Sequence, residues 1–132
     1  MKLVFKQDDL KNIVQQHLVP FLETKRIFTF VGPLGAGKTT LIKELLSQAG
    51  VQDVVTSLTF GYVNSYKNAA GRVFYHFDLY RLSSLEDFIH AGFDEYLHDD
   101  NAICLIEWPE IIKSLLHQSV QDRVVNIHLA YD

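Results

Sequence analysis

One short run of this chain carries the pattern that proteins use to hold the phosphates of a nucleotide. Residues 32–39 read Gly-Pro-Leu-Gly-Ala-Gly-Lys-Thr and match G-x-x-x-x-G-K-[ST] in full. Glycines in such a loop let backbone N–H groups turn inward and approach phosphate oxygens, which a Cβ would obstruct. In this pattern Lys38 reaches the β- and γ-phosphates and Thr39 offers its hydroxyl to Mg²⁺. The sequence therefore predicts a site for nucleotide phosphates and Mg²⁺.

The elements on either side of the loop support this interpretation. Residues 26–31 before it are strand-like, and residues 39–49 after it are helix-like. The N-terminus of that helix adds a partial positive charge to the same anion site. The residues predicted to bind the nucleotide are Gly32, Pro33, Leu34, Gly35, Ala36, Gly37, Lys38, Thr39 and Thr40.

Two acidic residues are candidates for the chemistry at the phosphates. Glu107 follows the apolar run 102–106, where a fold with this loop places the acidic residue that holds Mg²⁺ opposite the threonine. Asp78 lies in a His-Phe-Asp-Leu-Tyr-Arg run and could complete the Mg²⁺ shell or orient an attacking water. The alternatives are an exposed Glu107 that caps the next helix and a solvated Asp78 in a hairpin. We interpret His76 as a structural histidine rather than a base.

The elements that must position these residues predict an α/β fold. We expect a P-loop NTPase-like three-layer sandwich with a mostly parallel central sheet and an antiparallel hairpin, in a single domain over residues 1–132. The hairpin is indicated by residues 60–67 and 72–79, which alternate and flank a turn-like Asn-Ala-Ala-Gly. Residues 123–129 alternate like a final strand.

The spacing of apolar residues and the positions of capping residues predict the helices. From Asp8 to Glu23 apolar residues recur at helical spacing, with Asp8 as a cap and Pro20 as a kink or an end. Gly50 is a natural stop for the helix after the phosphate loop. Ser83 or Ser84 could cap a short helix that runs through Ile89.

Composition limits the classes of function. The chain of 132 residues has 12 Lys and Arg against 16 Asp and Glu, a formal net charge of −4, so we expect no general basic field for nucleic acid. Cys104 is the single cysteine of the sequence and lies in an apolar run, typical of a core residue in a reducing compartment. We expect no disulfide, no structural metal and no membrane contact, and a cytoplasmic location.

Four motifs taken together resemble the TsaE (YjeE) family. Besides the phosphate loop at 32–40, they are Ser-Leu-Thr-Phe at 57–60, His-Phe-Asp-Leu-Tyr-Arg-Leu at 76–82 and Ile-Glu-Trp-Pro-Glu at 106–110, in the order of the family and close to its spacing. The resemblance implies a bacterial P-loop ATPase that uses ATP and Mg²⁺. It also implies partners, TsaB and TsaD, with which it places threonylcarbamoyl on an adenosine of ANN-decoding tRNAs. Contact with tRNA would then be indirect, through the complex.

The resemblance implies a role for individual residues. Lys38, Asp78 and Glu107 would be the catalytic residues, and Thr39, Glu107 and Asp78 would serve the metal. Thr59 would be a switch-loop hydroxyl and Trp108 the functional tryptophan of the family, both at the switch or partner contact. ATP hydrolysis by the chain alone is expected to be slow.

Other functions compete with this one. The main alternative is a P-loop small-molecule kinase that transfers the ATP γ-phosphate, although such kinases usually carry a lid with several arginines. A GTPase fits less well, because no Asn-Lys-x-Asp guanine-reading segment is present in the sequence. A third possibility is an adaptor that binds nucleotide without hydrolysing it.

Overall fold

A mostly parallel sheet organises the chain. Its strands are β1 (Lys2–Val4), β2 (Ile27–Val31), β3 (Val63–Lys67), β4 (Val73–Asp78), β5 (Ala102–Glu107) and β6 (Val124–Ala130). Their spatial order is β1-β6-β2-β5-β4-β3, and all pairings are parallel except that of β3 with β4. The structure is a computed structural model that describes residues 1–4, 6–33, 37–52, 62–118 and 120–130.

Helices cover both faces of this sheet. The α-helices are α1 (Leu10–His17), α2 (Lys38–Gln48), α3 (Leu85–His90) and α4 (Lys113–Gln118). The 3-10 helices are Gln7–Asp9, Val19–Glu23, Phe93–His98, Pro109–Ile112 and Gln121–Arg123. In the part of the chain that the structure describes, no helix is both long and apolar enough to cross a membrane.

Strand β5 shows how the sequence specifies two cores. Ile103 and Leu105 point to the cluster formed with α1 and α2, whereas Cys104 and Ile106 point to the cluster formed with α3 and α4. A strand buried on both faces needs apolar residues at every position, and β5 has them up to Glu107. The three-layer α/β sandwich predicted from the sequence is confirmed.

The predicted hairpin is also confirmed. Strands β3 and β4 pair from Val63 with Phe77 to Lys67 with Val73. In the turn between them, the Asn68 side-chain oxygen accepts the backbone N–H of Arg72 at 2.9 Å. The hairpin thus delivers the carboxyl end of β4, with Asp78, beside the end of β5.

The boundaries of two helices follow the local chemistry predicted for them. Gly50 has φ 89°, and the next residue, Val51, donates its N–H to Leu46 O at 3.0 Å, as in a Schellman stop. Ser84 caps α3, where its Oγ accepts the N–H of Asp87 at 3.1 Å.

Pro20 follows the end of the first helix, which is one of the two roles predicted for it. The α-helix ends at His17, and Pro20 lies in a separate 3-10 turn, because proline removes a backbone donor. The N-terminal region differs from the prediction in two respects. Asp8 is not the cap, since Asp9 precedes the helix and makes no side-chain capping hydrogen bond. Strand β1, which pairs with β6 at the edge of the sheet, was not predicted, because three residues carry too little pattern.

Cys104 gives a test of this packing. Burial raises the pKa of its thiol to about 12, so at pH 8 only about one thiol in ten thousand is ionised in the folded protein. We expect a thiol-specific chromogenic reagent to leave Cys104 unmodified in the native protein and to modify it rapidly in denaturant. Rapid native labelling would contradict the burial of β5.

Candidate functional site

The candidate site lies where the parallel strands end. Glu107, the last residue of β5, pairs with Phe30 of β2 on one side and with Asp78 of β4 on the other. The phosphate loop leaves β2 at the same edge, which is where open α/β sheets bind ligands. A cleft of about 340 Å³ opens there, lined by Gly37, Lys38, Thr39, Thr40, Asp78, Tyr80, Glu107 and Trp108.

Lys38 begins α2 and points into the cleft. Gly37 before it has φ 93°, a conformation that a residue with a Cβ rarely adopts, and its carbonyl accepts the Leu41 N–H of the first turn. The Lys38 ammonium donates to the Gly32 carbonyl and lies 3.8 Å from the centroid of the Trp108 ring. The N-terminus of α2 and the lysine thus present positive charge to the same space.

Burial lowers the pKa of Lys38 below the ordinary lysine value, because the charged form is desolvated. The carboxylates of Glu107, Glu110 and Asp78 act in the opposite direction and favour the ammonium. Lys38 is only 5% exposed, so a further anion in the cleft would replace hydration that this charge has lost.

Thr39 and Glu107 form a direct contact across the site. The Thr39 hydroxyl lies 3.0 Å from Oε1 and 3.1 Å from Oε2 of Glu107 and donates to that carboxylate. Glu107 is 3% exposed, and His76 Nε2 lies 2.7 Å from its Oε2. The strand-end glutamate is therefore a buried group with two polar partners, and it does not cap the following helix from solvent.

Asp78 is held differently. It is half-buried and lines the cleft, and its Oδ1 accepts the backbone N–H of Tyr80 at 3.1 Å. The Leu79 N–H next to it donates to the Glu107 carbonyl at 3.1 Å, so the backbone ties the two acidic residues together. Asp78 is thus a carboxylate at the mouth and Glu107 one at the base.

Trp108 closes one side of the cleft in an unusual backbone conformation. It has φ 57° and ψ 58°, the one positive φ of a non-glycine residue in the described ranges. Pro109 follows and starts the next 3-10 helix. The Tyr80 ring packs against Trp108 with a centroid distance of 4.9 Å and is 54% exposed.

Most predicted site residues within the described ranges come together. Thr40 lines the cleft with Lys38 and Thr39, Gly32 contributes its carbonyl to Lys38, and Pro33 is exposed beside the loop. Leu34, Gly35, Ala36 and Thr59 lie outside the described residues.

Sequence reasoning missed two residues of the site. His76 contacts Glu107, and Tyr80 covers Trp108, although neither was given a functional role. The signal available was the two-residue spacing of His76, Asp78 and Tyr80, which indicated a shared side of the hairpin.

The oxygen donors of the cleft suit one kind of metal. A threonine hydroxyl beside a carboxylate is typical of Mg²⁺, which binds one or two protein oxygens and completes its shell with water and phosphate. Thr39 and Glu107 supply that pair, with the Asp78 carboxylate in the same cleft. Within the described ranges, no three or more His, Cys, Asp or Glu side chains gather as a metal cluster.

A larger cavity of about 510 Å³ lies elsewhere, between the sheet and the segment that follows Trp108. Thr29, Asn126 and His128 line it from the sheet, and Thr29 Oγ1 donates to Asn126 Oδ1 at 2.6 Å. This cavity is lined by none of the residues predicted to bind nucleotide. The larger cavity volume therefore does not mark the phosphate site.

Known proteins resemble this chain in sequence and in fold. The TsaE protein of Haemophilus influenzae is 46% identical over 96 residues, which are 73% of this chain and 58% of that protein. The Borreliella burgdorferi TsaE protein is 39% identical over 117 residues, 88% of this chain and 83% of the relative. This chain therefore spans less than two thirds of the Haemophilus relative.

A crystal structure of Bacillus subtilis YdiB superposes on 97% of this chain and 75% of its own, with a TM-score of 0.65 and 28% sequence identity. The sequence profile of the family described as threonylcarbamoyl adenosine biosynthesis protein TsaE matches residues 5–132. The chain belongs to the TsaE family.

Proposed function

We propose that this protein is a Mg²⁺-dependent ATPase of the machinery that makes threonylcarbamoyladenosine in tRNA, and that it acts with TsaB and TsaD. The single observation that carries the proposal is the contact of Thr39 with Glu107 beside Lys38, in a chain of the TsaE family. The relatives' name supports the pathway. Measuring ATP hydrolysis by the pure protein, with and without the partner pair and tRNA, tests it.

In the proposed reaction, the protein positions the nucleotide and stabilises the charge on its phosphates. Lys38 and the N-terminus of α2 hold the phosphates, and Thr39 and Glu107 hold the metal, directly or through water. Mg²⁺, when bound, neutralises charge on the β- and γ-phosphate oxygens. Transfer of the phosphoryl group needs little covalent help from a protein, so these contacts carry the catalysis.

Glu107 and Asp78 have different proposed roles because they lie at different depths in the cleft. Glu107 is buried and already bonded to Thr39, which favours the metal side. Asp78 stands at the mouth, which favours completing the metal shell or orienting the water that attacks the γ-phosphate. Both roles belong to one reaction, release of inorganic phosphate to solvent.

A partner supplies what the cleft lacks. No arginine is found among the described residues that line the cleft, and such a residue often stabilises charge in the transition state. Tyr80 and Trp108 form an aromatic pair at the mouth, beside Lys38, where a second protein can sense the nucleotide. We therefore place Trp108 at the partner contact, and the family resemblance implies the same role for Thr59.

We predict that Lys38→Ala weakens MgATP binding at least about tenfold, because a charge-assisted contact to phosphate is lost. Lys43→Ala is the matched control, since Lys43 is an exposed lysine of the same helix. Titration calorimetry measures both affinities, and circular dichroism verifies the fold. Equal ATP affinity in the two variants would contradict the phosphate site.

We also predict that Glu107→Gln and Asp78→Asn still bind ATP but hydrolyse it about a hundredfold more slowly, because charge at the reacting phosphate is lost. Glu86→Gln, an exposed residue of α3, is the control. Phosphate release gives the rate. Parent-like turnover in both variants would favour the adaptor, and transfer of the phosphate to a metabolite would favour the kinase.

The partner pair should distinguish nucleotide states. We expect TsaB with TsaD to bind the protein about tenfold more tightly with a non-hydrolysable ATP analogue than with ADP. Linkage requires that the pair raise the affinity for the analogue over ADP by the same factor, which nucleotide titrations measure independently. Equal affinity of the TsaB–TsaD pair for the analogue-bound, ADP-bound and empty forms would contradict a nucleotide-dependent switch.

A further inference from the structure

A buried histidine behind the cleft, His76, has no role in the reaction described above. His76 of β4 and Glu107 of β5 meet with Nε2 and Oε2 2.7 Å apart, and the two residues are 8% and 3% exposed. Both strands are interior to the sheet at this point, with β3 and β2 on either side. His76 is not among the residues that line the cleft, whereas Glu107 is, so the histidine faces the cleft through the glutamate.

The chemistry of the two groups fixes the direction of this hydrogen bond. A carboxylate that receives a metal ion is ionised and only accepts, so in that state Nε2 carries the hydrogen and His76 donates to Oε2. The Thr39 hydroxyl approaches the same carboxylate from the cleft side. Oε2 thus accepts from His76 on the side behind the cleft, while the Thr39 hydroxyl lies almost equally close to both oxygens.

A glutamate left without this donor would lose its orientation. Its side chain has three rotatable bonds, and a single contact to Thr39 would leave rotation about the last of them open. Buried ion pairs and polar pairs contribute little net stability, because desolvation offsets their attraction. The hydrogen bond from His76 can instead hold the Glu107 carboxylate in one orientation.

We propose that His76 is a positioning residue that holds Glu107 in the orientation in which it receives the Mg²⁺ of a bound nucleotide. The inference rests on the proposed function, since it takes Mg²⁺-nucleotide as the ligand. Partners behind a metal ligand commonly change metal affinity by about tenfold or more when they are removed.

Three substitutions of His76 distinguish the effect of its N–H donor from the effect of its ring shape. His76→Phe keeps a planar ring and removes the N–H, His76→Gln restores an N–H at a similar reach, and His76→Asn has an amide that stops short of Glu107. Asn64→Ser is the matched control. Asn64 is buried on β3 directly opposite His76, and its amide bonds to Tyr66 rather than to Glu107.

The readout is binding, not turnover. Calorimetry with a non-hydrolysable ATP analogue, in MgCl₂ and again in a chelator, gives the gain in affinity that Mg²⁺ supplies. We expect this gain to fall about tenfold in His76→Phe and to stay within about threefold of the parent in His76→Gln and Asn64→Ser. Affinity in the chelator should stay within about twofold of the parent in all of them. General loosening of the fold would lower both affinities together.

Each outcome decides the inference. An unchanged Mg²⁺ gain in His76→Phe would overturn it, as would an equal loss in His76→Phe and His76→Gln. If His76→Phe does not fold, the Mg²⁺ gain of His76→Asn is compared with that of His76→Gln instead. Equal Mg²⁺ gains in these two variants would overturn the role of His76. A parent protein that gains nothing from Mg²⁺ would refute the metal site of the proposed function itself, whereas a gain in the parent that survives in His76→Phe refutes only the role of His76.

Discussion

Strands β2, β5 and β4 run parallel and in register, with Glu107 paired to Phe30 on one side and to Asp78 on the other. This register brings residues from three distant parts of the chain to one edge of the sheet. Side chains alternate along a strand, so a shift by a single residue would turn Glu107 toward the opposite face. The apolar residues of β5, buried on both faces, oppose such a shift, so core packing determines the geometry of the site.

The cleft is arranged around a charge that the fold alone does not favour. Lys38 is buried, which lowers its pKa, and three carboxylates, a carbonyl and the face of an indole partly compensate. Cation–π contacts and carbonyl oxygens stabilise an ammonium less well than phosphate does. The desolvated Lys38 ammonium is thus compensated only in part by the groups around it, and under the proposed function the phosphates of a nucleotide would complete that compensation.

Much of this architecture could be predicted from local sequence, because the signals involved are local. The phosphate loop, the apolar run of β5, the hairpin turn and the Ser84 cap each depend on a few neighbouring residues. The contact between His76 and Glu107 does not, because it joins residues 31 positions apart in the sequence and exists only once β4 pairs with β5. Strand β1 is similar, since its three residues become a strand through β6.

The backbone at Trp108 connects the buried chemistry to the surface. A non-glycine residue at positive φ costs about 1 to 3 kcal/mol and persists only when its surroundings hold it there. On one side of Trp108 is Glu107, fixed by Thr39 and His76, and on the other is Pro109, whose ring restricts the residue before it. The indole contacts Lys38 inside the cleft and the exposed Tyr80 at its mouth. A phosphate that draws Lys38 away from the ring removes one of the contacts that hold this strained conformation. Under the proposed function, this contact is the route by which the nucleotide state would reach the aromatic pair at the protein surface.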